Sequence, residues 1–113
     1  MQLPSDHTAP RLARQALAGI DAIKPVHDEA LLIASELATH AVLGSQTGPD
    51  SELELLAEFV RDGLRIAVTG AGAPCAPAEV VARPDPLGIV NALARRWGAE
   101  RMDRRRVWAV LAM

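Results

Sequence analysis

A chain of 113 residues that is 50% hydrophobic and 23% charged has the content of a single globular domain, which excludes disordered, fibrous and disulfide-scaffold classes. A formal net charge of -2 gives no general reason to expect nucleic acid or an anionic membrane as partner, and no apolar run approaches the ~18 residues that would span a bilayer. The single Cys75 cannot close an internal disulfide, and "MQLPSDHTAPRLAR" lacks the apolar stretch of a secretion signal, so a reducing cytoplasm is expected.

Aromatic residues are scarce and tyrosine is absent, which leaves Leu, Ala, Val and Ile to build the core. Thr8 ahead of "APRLARQALAGI" predicts a capped helix with Pro10 in its first turn and Leu12, Ala16, Ile20 and Ile23 on one stripe. Pro25, Asp28 and Glu29 open a second helix that runs to Gly44 with Ala30, Ile33, Leu37, Ala41 and Leu43 near one face. "GSQTGPDS" reads as loop.

From Glu52 the period becomes two: Leu53, Leu55, Ala57 and Phe59 alternate with more polar neighbours, and Leu64, Ile66 and Val68 repeat the pattern after "RDG". Asp62-Gly63 predicts a hairpin between the two runs, since a tight turn needs positive φ. The proline-rich "GAGAPCAPAEVVARPDP" is a connection, and "LGIVNALARRW" predicts a third helix with Leu87, Val90, Leu93 and Ala94 inward. The last stretch reads as a hairpin with strands near Ala99 to Met102 and Val107 to Ala112. Grouped helices and hairpin-linked strands predict one α+β domain over residues 1–113, a two-layer sandwich whose mixed, mostly antiparallel sheet is covered on one face by helices.

Within the second helix, "SELATHAV" sets Glu36 one turn before His40, so both side chains leave the same face. Read from the residues alone, this pair is a helix-paired carboxylate beside a partly buried histidine, and His7, His27, His40 and Cys75 show no tight metal-ligand spacing. Arg95, Arg96, Arg101, Arg104, Arg105 and Arg106 are the one concentration of charge, read first as a solvated sheet edge and second as a phosphate-contacting patch.

The order of elements, together with "LPSDHTAPRLAR", "DEALLIASELATHAV", "LRIAVTGAGAP", "LGIVNALARRWG" and "RRVWAVL", resembles the ATPase domain shared by histidine kinases and gyrase-type ATPases. The similarity is greatest to the small serine-kinase anti-sigma factors of Gram-positive bacteria, and it covers nearly the whole chain. That resemblance implies a histidine kinase-like ATPase fold in which Glu36 holds the general-base position and His40 replaces the asparagine that holds magnesium. Gly70 stands where the family has the aspartate that accepts the adenine amino group, while Gly72 keeps the following glycine. Pro84 and Pro86 occupy the lid ahead of the third helix, and Gly88 follows two residues later.

Magnesium prefers oxygen ligands to imidazole. A lost hydrogen bond to a charged group is worth roughly 1.5 to 3 kcal/mol, or about ten- to a hundred-fold in affinity. The resemblance therefore implies a degenerate ATP site with no cofactor, or ATP and magnesium if the site still works, and no resident metal. It points to a regulatory protein of transcription that acts by protein contacts, holding a sigma factor or an anti-sigma antagonist. Homodimers are expected, the N-terminal helix with Arg11, Arg14 and Gln15 being a partner surface; membrane and nucleic-acid binding are not. An active ATP-dependent serine kinase and an arginine-patch nucleic-acid binder are the two competing readings.

Overall fold

The computed structural model describes residues 1–4, 6–44, 52–70, 84–101 and 105–113. In chain order they form β1 (Gln2–Pro4), α1 (Ala9–Ala18), a 3₁₀ helix (Asp21–Val26), α2 (His27–Gly44), β2 (Glu52–Val60), β3 (Gly63–Gly70), α3 (Pro84–Leu93), β4 (Arg96–Arg101) and β5 (Arg105–Ala112). The strands make one five-stranded sheet in the order β1-β2-β3-β5-β4. Every ladder in it is antiparallel, so the parallel component of the expected mixed sheet is absent from the described residues. No helix among those residues is long and apolar enough to cross a membrane.

Alternation in the sequence sets the sheet's inner face. The registers Leu55↔Val68 and Ala57↔Ile66 continue into Val68↔Val107 and Ile66↔Ala109, so aliphatic side chains of three strands share one surface. On it lies α2, in contact with β3 and β5, with α1 and α3 at its sides. Ala30, Ile33, Ala34, Leu37, Ala38 and Ala41 of α2 enter the same core as Leu53, Leu64, Ile66, Val107 and Leu111. Because α2 is packed from several sides, its apolar positions extend around much of the helix rather than along one stripe.

The β2–β3 hairpin forms as Asp62-Gly63 predicts, but its two-residue turn lies one position earlier and neither turn residue has positive φ. Val60 pairs with Gly63, which leaves Arg61 and Asp62 as the two turn residues. Gly63 has φ 153°, and a Cβ placed there would lie 1.7 Å from the carbonyl oxygen of Leu111 on β5. Glycine is thus required both by backbone conformation and by the close approach of the next strand.

Several sequence expectations are corrected. The buried stripe of α1 is Ala9, Ala13 and Leu17, one position on from the predicted Leu12 and Ala16, which are half-buried, while Ile20 is exposed. Thr8 does not cap the helix through its side chain; it turns back, its backbone N–H donating to Asp6 Oδ1 at 2.8 Å. The third helix stops at Leu93, short of Arg95 to Trp97, and Leu93 is 37% exposed rather than inward. There the Arg95 N–H donates to the Val110 carbonyl at 2.8 Å, so sheet pairing overrides the helical propensity of "ALARR". The strand expected near Ala99 accordingly starts at Arg96. The short β1, three residues paired with Glu52 to Glu54, was not expected at all.

Candidate functional site

Glu36 and His40 stand one turn apart on α2, the helix that contacts both β3 and α3. Their environments differ. His40 is 2% exposed, whereas Glu36 is half-buried and its carboxyl is pushed above the usual range by desolvation. The preceding Ser35 is buried and accepts a hydrogen bond from Arg14 Nη1 at 2.9 Å, and Thr39 Oγ1 donates to the Ser35 carbonyl at 2.8 Å. Arg14 was expected to face outward. Its residue is indeed exposed, but its guanidinium crosses from α1 to Ser35 of α2, a contact 21 positions apart that no local pattern announces.

Gly70 closes β3, buried and paired in register with Arg105. Gly88 lies on α3, exposed, with nothing among the described residues within 4 Å of where its Cβ would be. The topology therefore places Glu36, His40 and Gly70 on elements in direct contact, with Gly88 on the third packed element. Gly72, Cys75, Arg104 and the connection through residue 83 lie outside the described residues. Among the described residues no three His, Cys, Asp or Glu side chains gather in a way that would hold a metal ion.

Three of the arginines are committed to the sheet. Arg96 donates through Nε and Nη2 to Asp62 at 3.1 and 3.0 Å, Arg95 Nε lies 3.5 Å from the same carboxylate, and Arg106 Nε donates to Thr69 Oγ1 at 3.1 Å. These bonds pull the Asp62 carboxyl below its ordinary range, chiefly through the Arg96 hydrogen bonds. Arg65 and Arg96 also lie 5.6 and 5.5 Å from the ring centre of Trp108, and the ring rests beside Gly98, where a Cβ would come within 3.0 Å of Cζ2. Compared with models of known protein families and with curated proteins, the chain matches none of them.

Proposed function

We propose that this chain is a cytoplasmic regulatory protein of the anti-sigma type, acting by protein–protein binding through a histidine kinase-like ATPase fold whose nucleotide site is degenerate. The observation that carries the reading is the enclosure of His40. Magnesium prefers oxygen ligands, and the position that the resemblance assigns to its ligand holds an imidazole with 2% exposure. Gly70 adds to this, since it has no side chain with which to accept an adenine amino group. The residues present do not fit ATP and magnesium, which makes Glu36 a vestigial base on this reading.

What is left is a stable sandwich with surfaces. Arg11 and Gln15 are exposed on α1, the helix the resemblance assigns to partner contact, and the partner would be a sigma factor or an anti-sigma antagonist. The pairing of Arg95 and Arg96 with Asp62 and of Arg106 with Thr69 weighs against an arginine patch held ready for phosphates.

The test is a calorimetric titration with magnesium ATP, followed by capture of partners from the native cytoplasm with the wild type and with Arg11→Glu. No heat of binding and loss of partner in the variant are expected. Micromolar affinity for magnesium ATP would instead establish the kinase reading.

A further inference from the structure

β1 covers only the first half of β2. Its registers run from Pro4↔Glu52 to Gln2↔Glu54, and the ladder closes where Met1 and Leu55 exchange both backbone bonds, at 2.9 and 2.8 Å. Beyond this point β2 continues from Leu56 to Val60, and among the described residues nothing pairs with that stretch on the side away from β3. Backbone groups alternate in direction along an antiparallel strand, so the direction taken at Leu55 decides which of them are open. Leu55 turns its N–H and C=O toward β1; Ala57 and Phe59 therefore turn theirs the same way, to the open edge, while Leu56, Glu58 and Val60 turn theirs to β3.

Side chains along this edge are uncovered on both faces of the sheet. Phe59 is 57% exposed on the face that carries α2, and Leu56 is 41% exposed on the opposite face. Edge strands are ordinarily protected by a lysine, a proline, a bulge or a covering element. Leu56 to Val60 contain neither lysine nor proline, and their register with β3 runs without interruption. The one charge among them, Glu58, already accepts from Arg65 Nη1 at 3.3 Å. Four backbone groups open at an edge, with an exposed apolar side chain on either face, are the complement of a β-strand. We propose that an extended segment of a partner protein adds here, in line with β1 and antiparallel to β2. The proposal rests on the protein-binding reading above and adds a second contact to the one assigned to α1.

Register fixes the chemistry of that segment. Its residues opposite Phe59 and Ala57 would exchange four backbone bonds with β2 and lie on the face of α2, where a β-branched aliphatic side chain covers the Phe59 ring. The residue between them stands opposite Glu58 and is basic; the one opposite Leu56 is apolar. A second copy of this chain fits less well. The register that uses all four open groups opposes Ala57 to Phe59 twice, and it puts the two Glu58 side chains directly across from each other in the closer, non-hydrogen-bonded pair.

The test needs no native partner. The probe is the synthetic peptide acetyl-Thr-Ile-Lys-Val-Val-amide, titrated to millimolar concentration into the full chain and followed by amide NMR. In the free chain the Ala57 and Phe59 amides are expected to exchange rapidly with solvent, while those of Leu56 and Glu58 are protected. The peptide should shift the resonances of Ala57 and Phe59 and protect both amides. The same peptide N-methylated at its second and fourth residues loses two donors and keeps its side chains, and it should bind at least about ten-fold more weakly. Phe59→Ala should weaken the unmodified peptide by about ten-fold. Amides of Ala57 and Phe59 already protected in the free chain, no binding of the peptide, or equal binding of its N-methylated form overturns the inference. Protection of the two amides that appears only as protein concentration rises would give the edge to a second copy and overturns it as well. Capture of partners through α1 is read separately, so either reading can fail without the other.

Discussion

Arg96 and Asp62, 34 positions apart, are joined by two parallel hydrogen bonds, Nε to Oδ2 at 3.1 Å and Nη2 to Oδ1 at 3.0 Å. The fork ties the β2–β3 turn to the start of β4 across the end of β5. It is one of the points at which the central hairpin and the C-terminal hairpin are fastened together by side chains.

This contact has a pH signature opposite to that of Glu36. The folded Asp62 carboxyl is held below 3.8, so its contribution is present above that pH and is lost as pH falls through the depressed value. Burial raises Glu36 above 4.5, so its protonated form favours the fold; that contribution is present below 4.5 and disappears as pH rises through the elevated value. Urea denaturation between pH 3 and 7 should show that Asp62→Asn flattens the acid loss of stability. Glu36→Gln should remove the decline on the neutral side and leave the protein more stable than wild type at pH 7. A Glu36→Gln curve parallel to that of wild type would count against a desolvated carboxyl at this position.

Gly63→Ala is expected to be among the most damaging single substitutions. Its Cβ would overlap the Leu111 carbonyl, and the backbone at φ 153° disfavours any L side chain, so a loss of at least about 2 to 4 kcal/mol is expected. The midpoint of chemical denaturation measures it. A change within about 0.5 kcal/mol would mean that β3 and β5 do not approach as closely as described.

Ile66 and Phe59 occupy equivalent places in the alternating pattern and should behave differently. Ile66→Ala removes a side chain with 0% exposure and should cost about 2 to 5 kcal/mol, while Phe59→Ala acts on one that is 57% exposed and should stay within about 0.5 kcal/mol. Comparable losses in the two variants would refute the assignment of Phe59 to the uncovered end of β2.

Magnesium ATP should leave the melting temperature of the wild type unchanged at millimolar concentration. A ligand at about a hundred times its dissociation constant stabilises a fold by roughly 2.7 kcal/mol, which a melting curve resolves. A shift in wild type would contradict the proposed loss of the nucleotide site.

Local rules in the sequence determined the order of helices and strands, the extent of α2 and the central hairpin, because period and turn chemistry act over a few residues. The Asp62-Gly63 pair announced the hairpin, although the register set its turn at Arg61 and Asp62. The sites were legible to a lesser degree: Glu36 and His40 fall on one helical face by spacing alone, but only packing from several sides decided that the histidine is enclosed and the glutamate half-buried. Alternation could not distinguish Phe59 from Ile66, since exposure depends on how far α2 and its neighbours reach along the sheet. Likewise β4 begins at Arg96 because Arg95 pairs with Val110 and Arg96 with Asp62, contacts that exist only once distant segments meet. The same holds for Arg14 on Ser35 and for which residues of the five strands lie side by side across the sheet. Sequence encodes these residues one strand at a time, and register alone decides which of them become neighbours.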